Sequence, residues 1–202
     1  MFEEPARKYM NIMQEIKRRL YVVDYLLGAK LKIYDATKVE AIYLQFRKII
    51  ELITFSTLVT NKEVYTCQFD NYKTAWKANV LLKRIENLNP QFYPTPLKIM
   101  ESNTSRFDDL VVLDEDYLTK TDALELLNLC GDLAHADNPF GDVTNYPEYL
   151  AKSEYYRNKI FYLLNVHKTS LYQSDNFWLV QMRPLKQSVL ITEFGLETNY
   201  GN

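Results

Sequence analysis

The sequence predicts a mainly α-helical protein: a bundle of about five helices with a small antiparallel β element of two to four short strands toward the C-terminal half. Three observations predict it. Only 5 Gly and 7 Pro occur among 202 residues, too few for the many turns of an all-β chain. Apolar residues recur at helical spacing through most of the chain, and two late runs, 177–182 and 189–194, carry the β-branched and aromatic content of strands. With 47% hydrophobic and 25% charged residues the chain suits one domain over 1–202, with a C-terminal hairpin at about 176–195.

Tyr9, Met13, Ile16, Leu20, Val23 and Leu27 form one stripe, which predicts a helix from Pro5 to Leu27 that stops at Gly28. Thr37 and Glu40 have the spacing of a capping box, so a second helix is expected from Thr37 to Val59. It is apolar on more than one face (Ile42, Tyr43, Phe46, Ile49, Ile50, Ile53), which places it centrally. A third helix is expected from Asp70 or Asn71 through Trp76, Val80, Leu81 and Ile85 to the stop at Asn89-Pro90. Proline disfavours helix in the residue before it, so Phe92 to Pro96 is extended or turned. Leu97–Glu101 and Leu110–Leu113 read as a pair of short strands. A fourth helix is expected from Thr121 to Ala136 and a fifth, opening on Pro147, to about Lys168.

Charge and cysteine usage exclude several classes. The 24 basic and 26 acidic side chains leave a net charge of -2, so binding to nucleic acid would need a local patch. Cys67 and Cys130 make neither a disulfide framework nor a zinc pattern, and no apolar run opens the chain, so a cytoplasmic location is expected. Charges interrupt every apolar stretch, which argues against a membrane span. Glycine-rich phosphate loops and spaced metal ligands are missing from the sequence, so neither cofactor nor metal is expected.

Three constellations are candidate sites. Asn128, Asp132 and His135 stand at i, i+4 and i+7 on the expected fourth helix, where Asp132 can orient the His135 imidazole for acid–base work. Alternatively His135 and Asn138 terminate the helix. Glu40, Arg47 and Glu51, with Thr54 close by, form a polar stripe on the second helix; it either lines a pocket or is a solvated edge. Lys73, Lys77 and Arg84, with Tyr72 and Trp76 nearby, offer phosphate contacts and stacking to single-stranded RNA, as does the cluster Lys17, Arg18 and Arg19.

Arg157-Asn158 begins a further pattern. Helical bundles of the HEPN superfamily, which include bacterial toxin and phage-defence ribonucleases, carry an Arg, often followed by Asn, then a His. Arg157-Asn158-Lys159-Ile160-Phe161-Tyr162 resembles the start of that motif. Tyr162 stands where the nearest His is expected, and His167 follows after nine intervening residues. The resemblance implies a dimer in which Arg157 polarises a phosphate and His167 acts on a ribose hydroxyl. The expected function is a binding or regulatory protein, of a bacterial defence or mobile-element kind, that works as a homodimer or through a protein partner. The alternative is a metal-independent endoribonuclease with RNA as partner, His135 or His167 as acid–base group and Arg47 or Arg157 steadying phosphate charge.

Overall fold

The structure, a computed structural model, describes residues 4–28, 33–69, 77–100, 109–172, 174 and 176–195. Among them are six helices and five strands: α1 (Glu4–Gly28), α2 (Asp35–Thr60), α3 (Lys62–Gln68), α4 (Ala78–Leu88), β1 (Thr95–Met100), β2 (Asp109–Val112), α5 (Lys120–Asp132), α6 (Tyr146–Leu164), β3 (Val166–Ser170), β4 (Phe177–Gln181) and β5 (Leu190–Phe194). The mainly helical class with a small antiparallel sheet is therefore as expected.

α2 is the shared hydrophobic centre. α1, α3, α4, α5 and α6 all pack on it, and Ile42, Tyr43, Phe46, Ile49, Ile50 and Ile53 are at most 1% exposed. A helix enclosed on several sides has to be apolar on several faces, and burying each such side chain contributes about 1.5 to 3 kcal/mol. The helix starts earlier than expected. Asp35 is its first residue, and the Lys38 N–H already bonds the Tyr34 carbonyl, so exposed Thr37 and Glu40 lie inside the helix and cap nothing. At its far end a buried polar run is satisfied by its own backbone: Thr54, Ser56 and Thr57 donate to Ile50, Ile53 and Thr54 carbonyls. Asn61 then links α2 to α4 by accepting from Asn89 at 2.8 Å. A second small core, Tyr65, Leu81, Leu82, Ile85 and Phe92, closes that end.

Three other boundaries depart from expectation. α3 follows α2 after Asn61 alone, and α4 covers only the later part of the expected third helix; residues 70–76 lie outside the described residues. α5 starts under a capping box, where the Thr119 hydroxyl accepts from the Asp122 N–H and Asp122 accepts from the Thr119 N–H. It ends at Asp132, before the expected Ala136, because the Ala134 N–H bonds the Gly131 carbonyl and tightens the turn. α6 is capped by Asn145 with Pro147 in its first turn, as expected, but stops at Leu164. The residues after Asn165 pair instead with β4, from Val166 opposite Gln181 to Ser170 opposite Phe177.

That unanticipated β3 joins the two expected hairpins into one antiparallel sheet, ordered β2-β1-β3-β4-β5. His167, Thr169, Trp178, Val180 and Ile191 are buried, most of them in the main core with α1 and α2. The β4–β5 connection is tied down by buried Lys17, whose ammonium donates to the carbonyls of Met182 and Gln187 at 2.7 Å and of Pro184 at 3.4 Å. The same turn holds Arg183 at φ 56°. Lys17→Met keeps the packed stem and removes the charge-assisted bonds. It is expected to cost about 1 to 2 kcal/mol in urea unfolding, since the freed carbonyls can turn to water. An unchanged midpoint would show that the turn holds itself.

Candidate functional site

Arg157 is the most organised of the expected site residues. α6 carries it to the side of α1, where its Nε donates to Asp24 Oδ1 at 2.6 Å and its Nη2 to Oδ2 at 2.8 Å. This is the two-pronged geometry that makes arginine–carboxylate pairs directional. Nη1 donates to Asn158 Oδ1 at 3.2 Å, and the guanidinium lies 5.2 Å from the Phe161 ring centroid. The hydrogen bonds it donates to Asp24 hold the guanidinium still more firmly charged. Around the pair the surface is aromatic. Tyr21 and Tyr25 flank Asp24 on α1 and are 56% and 59% exposed, while Phe161, one turn after Arg157, is 38% exposed.

His167 is elsewhere. It is on β3 rather than on a helix, fully buried, with Nδ1 2.9 Å from the Leu164 carbonyl and Nε2 2.8 Å from the Tyr9 hydroxyl. A carbonyl only accepts, so Nδ1 carries the proton and Nε2 accepts from Tyr9. Burial lowers the pKa of His167 to about 4. Both ring nitrogens are thus satisfied inside the protein, and the ring that the ribonuclease reading would use for acid–base work is buried rather than exposed beside Arg157.

The remaining candidates are dispersed. Asn128 and Asp132 share a face as expected, but it is the exposed side of α5, opposite the buried Ala123, Leu126 and Cys130. His135 lies beyond the end of α5 in an exposed bend, so the three residues do not share a helical face. Asn138 organises the following turn, its Oδ1 accepting from the Phe140 N–H. On α2, Arg47 and Glu51 pair at 3.3 Å on a partly exposed edge beside Cys130; Glu40 is exposed, and Thr54 is bonded to its own helix. Burial pushes the Cys130 thiol up to about 12, which disfavours the thiolate form. Lys77 precedes α4. Arg84 donates to the Tyr65 hydroxyl and lies over the Phe69 ring, so its side chain braces the second core. Lys73 falls outside the described residues.

Sequence reasoning missed a buried cation. The Lys159 ammonium, on α6, meets Asp116 at 2.8 Å, Asp122 at 2.9 Å and the Tyr155 hydroxyl at 3.0 Å. Burial alone would lower its pKa, but the bonds it donates to Asp116, Tyr155 and Asp122 outweigh that and raise it. Among the described residues no three of His, Cys, Asp and Glu gather as metal ligands, and no helix is long and apolar enough to cross a membrane. No protein-family model, curated protein or solved structure matches the chain.

Proposed function

We propose that the chain is a helical binding protein that works as a homodimer through the α1–α6 face. The observation that carries this reading is the aromatic surface around Asp24 and Arg157. Exposed tyrosine and arginine supply large contact area at low entropic cost and dominate protein interfaces. A patch bearing both a carboxylate and a guanidinium is complementary to itself, as a twofold contact requires. The dispersal of the polar candidates supports binding over catalysis, since a nuclease needs its acid–base group and phosphate-binding cation within reach of one bond.

Sedimentation of the full chain at tens of micromolar is expected to give a dimer. Replacing both Tyr21 and Tyr25 by alanine is expected to weaken it about a hundredfold, because each buried interface tyrosine is worth more than about 1 kcal/mol. Asp24→Arg alone and Arg157→Asp alone should each be monomeric, and an equimolar mixture of the two should associate. A wild-type chain that stays monomeric, or a tyrosine double variant that dimerises normally, refutes the proposal.

A further inference from the structure

The sheet presents its other face to a cleft that plays no part in the dimer reading. Side chains alternate along a strand, so Lys168 and Ser170 point away from buried His167 and Thr169, and Thr95, directly opposite Lys168 on β1, points the same way. Across from them, the Tyr93 ring is fixed by its hydroxyl, which donates to the Leu118 carbonyl at 3.3 Å. Tyr117, Thr119 and Lys120 complete the wall. The cleft encloses about 440 Å³, within the size range of small-molecule sites.

Its lining is selective in charge. Two lysines, two tyrosines and several hydroxyls line it, and among the described residues the carboxylates next to it, Asp122 and Glu86, are taken up by Thr119 and Lys120 rather than lining the cleft themselves. Lys120 is held by Glu86 of α4, whereas Lys168 makes no ion pair among the described residues. A partly covered ammonium in a cleft also lined by the Thr95 and Ser170 hydroxyls favours an anion with several acceptor oxygens, and the tyrosine rings of the same cleft favour a planar group attached to that anion. The start of α5 adds nothing here, because Thr119 and Asp122 already cap it.

We propose that this cleft binds a nucleoside monophosphate, with the phosphate on Lys168 and the neighbouring hydroxyls and the base against Tyr93 and Tyr117. The site is independent of the α1–α6 face, so either proposal can fail without the other.

Calorimetric titration of the full chain with AMP, adenosine and inorganic phosphate tests it. AMP is expected to bind with a dissociation constant between micromolar and about 1 mM, and adenosine and phosphate each at least about tenfold more weakly. Lys168→Gln and Ser170→Asp should each weaken AMP about tenfold or more by removing or opposing the charge, with thermal unfolding confirming that both variants fold. Lys98→Gln, on the opposite parity of β1, should leave binding unchanged. No saturable AMP binding up to about 10 mM overturns the proposal, as does undiminished binding in folded Lys168→Gln, or adenosine or phosphate binding as tightly as AMP.

Discussion

Lys159→Ala is expected to lower the unfolding free energy by about 3 kcal/mol, because it leaves charge behind in a place that water reaches poorly. The ammonium is 6% exposed and its partner Asp122 20%, so removing the lysine strands a carboxylate that also caps α5. Asp116, at 65% exposure, is rescued by solvent, which holds the cost near the lower end for a broken buried pair. The Lys159→Met/Asp122→Asn double variant should recover part of the loss, since neither group is then charged and the asparagine can still accept from the Thr119 N–H. Urea midpoints of the two variants decide it. Equal stability of Lys159→Ala and wild type would mean that the clamp contributes nothing net. The pH signs are opposite for the two partners. Raised Lys159 stabilises fully below the unfolded lysine value near 10.4 and less above it. Asp122 is disfavoured as an anion by burial but is held low by Thr119 and Lys159, so it stabilises fully above about 4 and less below.

Between those limits the stability should still fall on acidification, and His167 is the reason. Its folded pKa of about 4 is below the unfolded value near 6.5, so the unfolded chain binds the extra proton first. Stability is full above about pH 6.5 and declines by about 3 kcal/mol as the pH drops to 4, at 1.36 kcal/mol per pKa unit. The site offers the imidazolium little help: its partners are the uncharged Tyr9 hydroxyl of α1, which itself packs against the Trp178 ring, and the Leu164 carbonyl. Urea unfolding at pH 7 and pH 4.5 should show the decline, and His167→Gln should flatten it. With only two histidines in the chain, NMR titration gives an independent check: a His167 ring titrating near 6.5 in the folded protein contradicts the account.

Much of the helical frame was legible because periodicity reports burial directly. The α1 stripe, the all-round apolar α2 and the Pro147 start of α6 each follow from local pattern. β3 was not legible: Leu163-Leu164-Asn165-Val166 continues a helical apolar rhythm with no Gly or Pro to break it, and only pairing with distant β4 selects strand. The polar sites divide in the same way. Arg47–Glu51 is a local i, i+4 pair and was visible; Asp24–Arg157, Lys159 with its carboxylates, and Lys17 with its carbonyls are all tertiary. One signal was present. Lys17, Asp24 and Lys159 each lack an opposite charge three or four positions away on their helices; Lys17 finds carbonyls, and Asp24 and Lys159 find their opposite charges, elsewhere in the fold.

The place of β3 between β1 and β4 has a kinetic meaning. Each outer hairpin closes a short loop, whereas pairing Thr95 with Lys168 requires the intervening chain, α5 and α6 included, to be gathered first. Because β3 pairs with β4 across the short connection 171–176, the late step is the junction of β1 with β3: until it forms, both strands expose an unpaired edge, and aggregation during refolding is to be looked for there.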